Sequence, residues 1–273
     1  MDNQFKGVNV IITGATGVIG STFVKGLVAQ GANVGILGRS EEKITALQEE
    51  LGDAQIQTVD LEADVLDKSS LERAKQRFNE TFGNIDILIN GAGGNHPNAT
   101  TNDEFYDAKG ENTFFDLTEP GVDAVFKLNY VGTFLPSQVF AKDIVNSRQG
   151  SIINISSMNA FTPLTKIPAY SGAKAAVSNF TEWLSTYFSG KVRVNAIAPG
   201  FFETNQNKGL LRNADGSYSD RANKILTQTP MNRFGDPEEI LGTLYWLMDY
   251  NASSFVTGIV VPVDGGFNSY SGV

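Results

Sequence analysis

The start of the chain constrains its fold most strongly, because an apolar run meets a glycine-rich turn there. Residues 8–13 are apolar and typical of a buried strand, and residues 21–30 have the composition of a helix. The turn between them lets backbone amides approach a pyrophosphate, and the helix N-terminus adds partial positive charge. The pattern predicts the phosphate-binding start of a dinucleotide fold. Its cofactor contacts are predicted at Gly14, Thr16, Gly17, Val18, Ile19 and Gly20.

Strand-like and helix-like segments alternate along the rest of the chain. Further strands are predicted at residues 32–37, 55–59, 85–90, 151–156, 191–198 and 258–263. Helices are predicted at residues 41–51, 68–82, 122–146, 170–188 and from Asp236 to about Tyr250, with Pro136 a possible kink. This alternation predicts an α/β fold with a Rossmann-like, doubly wound, parallel sheet of seven strands. Because no linker, repeat or low-complexity segment interrupts it, residues 1–273 are predicted to form a single domain.

Composition excludes several classes of function. The 273 residues contain no cysteine and one histidine, His96, so thiolate chemistry and multi-histidine metal sites are excluded, and no metal is predicted. The net charge of −9 argues against nucleic-acid binding. No apolar run is long enough to span a membrane, and no signal peptide is evident, so a cytoplasmic location is predicted.

Three residues near the middle of the chain form a candidate catalytic group. Ser157 follows an apolar run, so its hydroxyl is predicted at the carboxyl end of a strand, where open α/β sheets bind ligands. Tyr170 and Lys174 are four residues apart and share one face of the predicted helix. An ammonium beside a phenol favours the phenolate and lowers the pKa of the phenol. The pair is therefore predicted to act as a general acid or base.

The end of the second predicted strand bears on the choice of cofactor. A carboxylate there would bind the adenine ribose hydroxyls, but this chain has Gly38, Arg39 and Ser40. Arg39 can pair with a 2′-phosphate, which favours NADP(H) over NAD(H). Alternatively, Arg39 stacks on the adenine or points to solvent. Further cofactor contacts are predicted at Asp64, Val65, Asn90, Gly91, Ala92 and Gly93.

Two long polar segments interrupt the α/β pattern, at about residues 94–121 and 201–230. Long connections of this kind are usually functional or mobile. The first follows a predicted strand, so it is placed to frame a substrate. It is equally consistent with a surface excursion or a contact between subunits.

Taken together, these motifs resemble the short-chain dehydrogenase/reductase family over essentially the whole chain. The residues that carry the resemblance are Thr13-Gly14 to Gly20, Asp64-Val65, Asn90 to Gly93, Asn129, Ser157, Tyr170, Lys174, Asn195 to Gly200 and Thr204. The resemblance implies a catalytic tetrad of Asn129, Ser157, Tyr170 and Lys174. In this tetrad Tyr170 and Lys174 also contact the cofactor, Lys174 at the nicotinamide ribose, and Asn129 holds a water. It further implies nicotinamide contacts at Pro199, Gly200, Phe202 and Thr204, and commonly a homotetramer.

One glycine departs from the pattern of the single-domain branch of this family. That branch usually has glycine where Val18 stands, whereas the middle glycine here is Gly17. The spacing is more usual in the extended branch, which includes sugar-nucleotide epimerases and dehydratases, so such an activity is an alternative. The chain lacks the longer C-terminal substrate domain of that branch.

Within the family, the sequence is most similar to the D-mannonate oxidoreductase (fructuronate reductase) group. The similarity rests on residues 91–97, 156–170, 199–202 and 233–237. It implies interconversion of a ketone and a secondary alcohol on a small sugar acid of carbohydrate metabolism, D-fructuronate and D-mannonate. A sugar-acid carboxylate needs cationic or amide partners. The candidates are Asn95, His96, Asn159, Lys166 and Arg212, although His96 is equally consistent with a neutral hydrogen-bonding role.

Two other hypotheses on the function are consistent with the sequence. The first is a different reductase of the same family, acting on another polyol, a gluconate-type acid or a 3-oxoacyl thioester. The second is a non-catalytic protein that senses nucleotides. Such proteins often lose the tyrosine or lysine, whereas Tyr170 and Lys174 are both present here.

Overall fold

Seven parallel strands form one sheet in the described part of the chain, in the order β3-β2-β1-β4-β5-β6-β7. The computed structural model describes residues 3–204 and 208–272. The strands are β1 Asn9–Thr13, β2 Asn33–Gly38, β3 Thr58–Glu62, β4 Ile87–Asn90, β5 Ser151–Ile155, β6 Arg193–Pro199 and β7 Val260–Val263. The chain runs outward from β1 to β3 and then returns to place β4 on the other side of β1. This confirms the predicted doubly wound sheet and puts a ligand-binding switch point at the carboxyl ends of β1 and β4.

Helices cover both faces of this sheet. They are α1 Val18–Ala29, α2 Glu41–Glu50, α3 Lys68–Phe82, α4 Glu119–Phe126, α5 Gly132–Ile144, α6 Pro168–Tyr187, α7 Lys208–Leu211, α8 Asp220–Thr227, α9 Leu241–Met248 and α10 Tyr250–Ser253. Successive strand residues point to opposite faces. Ile12 of β1 packs in the same core cluster as Phe23 of α1, whereas Ile11 packs with Phe78 of α3. Both faces are therefore buried, as parallel sheets require.

The third strand lies three residues later than the sequence predicts. Residues 55–59 were expected to form it, but Gly52–Gln57 is a 3₁₀ turn and β3 is Thr58–Glu62. Pairing with β2 sets this register, because Val59 lies beside Gly35 and Leu61 beside Leu37. The buried Val59 and Leu61 alternate with more exposed polar residues, as in a strand near the edge of a sheet.

The long helix predicted at residues 122–146 is divided by a π-helical segment. α4 begins at Glu119, where the Thr118 side chain caps it, and Lys127–Val131 forms the π segment before α5. Pro136 lies inside α5. The irregularity therefore falls before Pro136 and includes Asn129. Single π turns inside α-helices frequently occur at functional sites.

The two long polar segments contact each other and the loop before α6. The backbone N–H of Thr101 donates to the carbonyl oxygen of Lys166 at 2.9 Å. Lys224 of α8 donates to Glu104 of the first segment, also at 2.9 Å. The second segment contains α7 and α8, and its residues 205–207 lie outside the described residues.

The C-terminal helical region begins as predicted at Asp236, whose side chain accepts the N–H of Glu238. Its first turn, Pro237–Ile240, is 3₁₀, and α9 ends at Met248 because the backbone of Asp249 is extended and caps α10. None of the helices in residues 3–204 and 208–272 is long and apolar enough to cross a bilayer.

Candidate active site

The hydroxyl groups of Ser157 and Tyr170 meet at the carboxyl end of β5. Ser157 follows that strand, and Tyr170 lies in the first turn of α6. The side chains form a hydrogen bond. The backbone N–H of Asn159 donates to Ser157 Oγ at 3.3 Å. The hydrogen bond between the two side chains lowers the pKa of Tyr170, which is the effect of a serine hydroxyl that donates to the tyrosine oxygen. The sequence therefore correctly predicted that these two residues meet.

Lys174 lies one helical turn beyond Tyr170 and is almost completely buried. It is 4% exposed, and its Nζ donates to the carbonyl oxygen of Ile155 at 2.8 Å. The same Nζ lies 5.6 Å from the centroid of the Tyr170 ring. The helical spacing thus brings the two side chains together, with the ammonium anchored to the last residue of β5.

The pKa values of this pair differ from the sequence prediction. Burial raises the pKa of Tyr170, an effect that the hydrogen bond from Ser157 partly offsets. Burial lowers the pKa of Lys174 to about 8. The predicted lowering of the Tyr170 pKa by Lys174 is therefore wrong for the protein alone, because desolvation dominates and Nζ is bonded to Ile155. At neutral pH the phenol carries its proton and is ready to donate it.

Asn129 occupies the π segment, and its amide is committed to backbone groups. Its Nδ2 donates to the carbonyl oxygens of Gly94 at 2.7 Å and Val125 at 2.8 Å, and Oδ1 accepts the N–H of Gly94 at 3.2 Å. The Thr133 hydroxyl donates to the Asn129 main-chain carbonyl. Asn129 thus fixes the loop after β4 beside Lys174. A water held by this residue would bind its main-chain carbonyl, because the amide is occupied.

A buried polar chain connects β4, β5 and their flanking helices beneath this site. Asn90 donates to Ser137 of α5 and to Asn154 of β5, both at 2.9 Å. Asn154 in turn donates to Thr181 of α6 at 2.9 Å. Asn90 is fully buried, and its side chain supports the loop from below, so the cofactor contact predicted at this position stays a prediction for the backbone that follows β4. The other members were missed, although Asn154 interrupts an apolar strand much as Asn90 does.

The glycine turn after β1 forms a cradle at the N-terminus of α1. Gly14 has a φ of +64°, and Gly17 is extended and caps the helix, which begins at Val18 instead of the predicted residue 21. The first turn of α1 contains no acidic residue. Its unsatisfied amides, at Val18, Ile19 and Gly20, therefore fit an anionic pyrophosphate. The unusual position of the middle glycine is accommodated, because Gly17 serves as the cap.

Replacing Gly20 by alanine is expected to destabilise the turn by about 2–3 kcal/mol and to weaken cofactor binding at least about tenfold. The added Cβ would overlap the carbonyl oxygen of Gly14 and lie 2.8 Å from the Cα of Ala15. Urea unfolding and cofactor titration measure the two effects.

Gly242→Ala is the matched control for Gly20→Ala. Gly242 is an exposed helical glycine with no heavy atom near its missing Cβ, so alanine should stabilise by about 0.5–1 kcal/mol. Equal stability of the Gly20→Ala variant and the wild type would contradict the close approach.

Small residues after β4 leave open space beside Lys174 at the carboxyl end of the sheet. Thr13 Oγ1 accepts the N–H groups of Gly91 and Ala92 at 3.1 and 3.2 Å. A Cβ on Gly93 would lie 2.7 Å from Asn129 Oδ1 and 3.1 Å from Lys174 Nζ. Only a residue without a side chain fits here, and its absence of a Cβ keeps the floor of the cleft open.

Four residues after Ala198 were predicted to contact the nicotinamide. Pro199 ends β6, and Gly200 packs so closely on Asp264 that a Cβ would lie 2.5 Å from its Cα. The side chain of Phe202 is buried and lies against Gly235, so it cannot reach a cofactor in the cleft. Thr204 is partly exposed and borders residues 205–207, which are outside the described part.

A model of the family described as short chain dehydrogenase matches residues 8–215. The matched region includes the glycine cradle and the group formed by Asn129, Ser157, Tyr170 and Lys174. The chain belongs to the short-chain dehydrogenase family.

Relatives of this dehydrogenase match it over nearly its full length. An uncharacterised oxidoreductase of Bacillus subtilis, UxuB, is 52% identical over 100% of this chain and 99% of its own. A Haemophilus influenzae protein with the provisional name D-mannonate oxidoreductase, solved with NAD bound, has a TM-score of 0.94 and 51% identity, covering 98% and 97% of the two chains. A gluconate 5-dehydrogenase from Burkholderia cenocepacia, in complex with NADP and tartrate, has a TM-score of 0.82 and 29% identity, covering 98% of each.

Family membership establishes the class of reaction. This dehydrogenase is an oxidoreductase that acts on alcohol or ketone groups and uses a nicotinamide cofactor. The first-turn amides of α1 and the small residues after β4 fit such a cofactor.

The residues of this dehydrogenase that were predicted to contact the adenosine end of the cofactor lie at and beyond the ends of β2 and β3. Arg39 is exposed directly after β2 and has no hydrogen-bond or ion-pair partner in the described part of the chain. Glu62, which the sequence analysis missed, pairs in register with Gly38 on the neighbouring strand. The Asp64 carboxylate accepts the N–H of Leu66, and Val65 is buried against Gly132. The end of β2 therefore bears a free cation, with one carboxylate on the next strand.

Two of the five predicted substrate residues use their side chains in hydrogen bonds within the protein. Arg212 forms two hydrogen bonds with Glu203, at 2.6 and 2.8 Å, and stacks on the Tyr218 ring at 4.2 Å. Glu203 therefore balances the charge of Arg212, and the predicted contact of Arg212 with a substrate carboxylate stays a prediction. Asn95 donates to the hydroxyl of Thr100 at 2.8 Å.

The other three predicted substrate residues retain free polar groups. Asn159 is 4% exposed, and its side-chain amide has no partner among residues 3–204 and 208–272. The Nδ1 of His96 accepts the N–H of Asn98 at 3.2 Å, so this nitrogen carries no proton and Nε2 remains available. Lys166 precedes α6 and lies close enough to Glu104 to affect it electrostatically.

Proposed function

We propose that this dehydrogenase interconverts the ketone of D-fructuronate and the secondary alcohol of D-mannonate. The hydrogen-bonded Ser157 and Tyr170 beside the buried Lys174 support a ketone–alcohol reaction most directly. The choice of a sugar acid is supported by the provisional name of the Haemophilus influenzae relative, at 51% identity. It is also supported by the unpartnered polar groups of Asn159 and Lys166 on the loop between β5 and α6.

In the proposed reduction, the nicotinamide cofactor supplies the hydride when it is bound. Tyr170 gives its proton to the carbonyl oxygen as negative charge develops there, and Ser157 donates a hydrogen bond to the same oxygen. Lys174 supplies a buried positive charge below the phenol and can replace the proton that Tyr170 loses. Asn129 holds the loop after β4 so that Gly93 and Lys174 keep their relative positions.

We propose that NADP(H) is preferred over NAD(H), because Arg39 is exposed and unpaired at the end of β2. A cation there attracts a 2′-phosphate, and no carboxylate follows Gly38 on its own strand. The Burkholderia cenocepacia relative was solved with NADP and the Haemophilus influenzae relative with NAD, so both cofactors belong in the test.

Absorbance of the reduced nicotinamide, followed with D-fructuronate and either NADPH or NADH, tests the substrate and the cofactor together. We expect D-fructuronate to be reduced and NADPH to give the larger kcat/KM. Arg39→Ala should reverse or abolish that preference, with the exposed Arg148 replaced by alanine as a control. Faster turnover with NADH in the wild type would overturn the cofactor preference and leave the substrate assignment standing.

A gluconate-type keto acid is the second candidate substrate. The gluconate 5-dehydrogenase relative supports it, since that protein was solved with the hydroxy acid tartrate. Turnover of 5-keto-D-gluconate with none of D-fructuronate would select this candidate.

The homotetramer implied by the family resemblance stays a prediction. We expect its subunits to contact each other through α6, where the exposed rings of Trp183 and Tyr187 stack with their centroids 5.2 Å apart.

A further inference from the structure

An ion pair between two segments lies within electrostatic reach of a third charged side chain, on the loop that precedes α6. Glu104 comes from the first long segment, Lys224 from α8, and Lys166 from the loop between β5 and α6. Lys224 Nζ donates to Glu104 Oε1 at 2.9 Å. The pKa of the Glu104 carboxyl is lowered, first by this hydrogen bond and its charge and then by the charge of Lys166. The carboxylate therefore lies within the electrostatic influence of both ammonium groups.

Lys166 has a backbone conformation that lysine rarely adopts. Its φ is +72°, and the other described non-glycine residues with positive φ are both asparagine, Asn112 and Asn232. Asparagine tolerates this region far better than lysine does. The Lys166 carbonyl accepts the N–H of Thr101, which docks the first long segment here. The turn explains the backbone conformation but not the long cationic side chain, and such strain clusters at functional sites.

The charges in this cluster do not cancel. Two ammonium groups face one carboxylate, so a single positive charge is left over in a protein whose net charge is −9. Arg212, the other cation predicted for substrate binding, is neutralised by Glu203. The surplus charge therefore matches a ligand with one carboxylate.

The cluster also lies within reach of the reacting groups. Lys166 precedes Tyr170 by four residues, a stretch that spans at most about 14 Å even when extended. Asn159, whose side-chain amide has no described partner, lies on the same loop two residues after Ser157. A cation and an amide donor thus both lie on the loop that connects Ser157 to Tyr170.

We propose that Lys166, supported by Lys224, forms the subsite that binds the carboxylate of the substrate, and that Glu104 is its counter-ion in the free protein. The inference rests on the proposed sugar-acid function and assigns the residues that select the acid. When the carboxylate binds, it takes the surplus positive charge. Glu104 and Lys224 belong to different long segments, so their ion pair also links the two segments beside the subsite.

The test compares D-fructuronate with D-fructose, in which an alcohol replaces the carboxylate. Lys166→Asn removes the charge and keeps a residue that accepts positive φ, so the fold is preserved. We expect the ratio of kcat/KM for D-fructuronate to that for D-fructose to fall about ten- to hundredfold. The loss should appear in KM for the acid more than in kcat, and Lys166→Arg should restore much of it.

Lys109→Gln is the matched control. Lys109 is an exposed lysine in the same long segment as Glu104 and has no described ion pair. Its replacement removes one positive charge without touching the cluster, so the acid-to-neutral ratio should stay within about twofold. Glu104→Gln should lower KM for the acid, because it frees both lysines from their counter-ion.

An unchanged ratio in Lys166→Asn, or an equal fall in Lys109→Gln, would overturn the subsite. Failure of the proposed function would give a different result, because the wild type would then reduce another ketone and would not reduce a sugar acid. In that event, inhibition by D-mannonate decides the subsite separately. Inhibition that Lys166→Asn weakens at least tenfold supports the subsite, and inhibition that Lys166→Asn leaves unchanged, or none at all, overturns it.

Discussion

Replacing Tyr170 by phenylalanine is expected to lower turnover by about 10²- to 10⁴-fold, the usual contribution of a general acid. The phenol is the group that burial keeps protonated beside Ser157, and phenylalanine retains the ring while removing the proton. In this variant Ser157 can still donate a hydrogen bond to the substrate oxygen, but no phenol is present to give that oxygen a proton. Single-turnover oxidation of the reduced cofactor measures the effect on the chemical step.

Cofactor binding should survive this change, because backbone amides of α1 form the cradle and phenylalanine keeps the ring of Tyr170. Titration of reduced-nicotinamide fluorescence checks it. Tyr187→Phe is the matched control, since Tyr187 is an exposed tyrosine at the other end of the same helix. Turnover of Tyr170→Phe within tenfold of wild type would show that another group supplies the proton.

Replacing Lys174 by methionine is expected to abolish most turnover and yet to stabilise the protein at neutral pH. The buried ammonium has its pKa lowered from 10.5 to about 8, which corresponds to about 3 kcal/mol of unfavourable burial while it is charged. Methionine has a similar length and no charge. The lost hydrogen bond to the Ile155 carbonyl offsets about 1–3 kcal/mol. The net gain in the free energy of unfolding at pH 7 is therefore up to about 2 kcal/mol.

The sign of this stability difference should change with pH. Between pH 8 and 10.5 the lysine is neutral in the folded protein and protonated in the unfolded chain, so unfolding takes up a proton. The wild type therefore gains stability relative to Lys174→Met as pH rises through this window, by about 3 kcal/mol in all. Above the window the variant should be the less stable protein, because only the unpaired Ile155 carbonyl remains.

Urea unfolding of the wild type and Lys174→Met at pH 7, 9 and 10.5 measures the difference between their free energies of unfolding. The contributions of groups that titrate identically in both proteins cancel in this difference. Lys191→Met is the control, because Lys191 is exposed and its replacement should give a difference that is flat across the same range. A flat difference for Lys174→Met as well would show that burial does not perturb this lysine. Such a gain in stability on loss of a functional group is a common trade-off at active sites.

The local patterns of the sequence were sufficient for the fold class and for the central group of the site. Strand and helix types follow from short-range hydrophobic periodicity, so the doubly wound sheet was correctly predicted. The i, i+4 spacing of Tyr170 and Lys174 and the position of Ser157 after a strand are also local features. These three residues meet because a helix and a parallel sheet have fixed geometries.

Several outcomes depended on contacts between residues far apart in sequence. The register of β3 was set by pairing with β2, and Asn90 became buried because Ser137 and Asn154 surround it. Arg212 has the charge that binding of a substrate carboxylate requires, but the fold places the carboxylate of Glu203 beside it. No periodicity in the sequence encodes which charged side chain finds which partner.

The sequence by itself determined the succession of strands and helices along the chain, the cradle at α1 and the grouping of Ser157, Tyr170 and Lys174. Only the tertiary structure decided the direction of the pKa shifts of Tyr170 and Lys174, the pairing of Arg212 with Glu203 and the pairing of Glu104 with Lys224 near Lys166. The reason is physical. Local geometry follows from neighbouring residues, whereas desolvation and ion pairing depend on what the whole chain packs around each group.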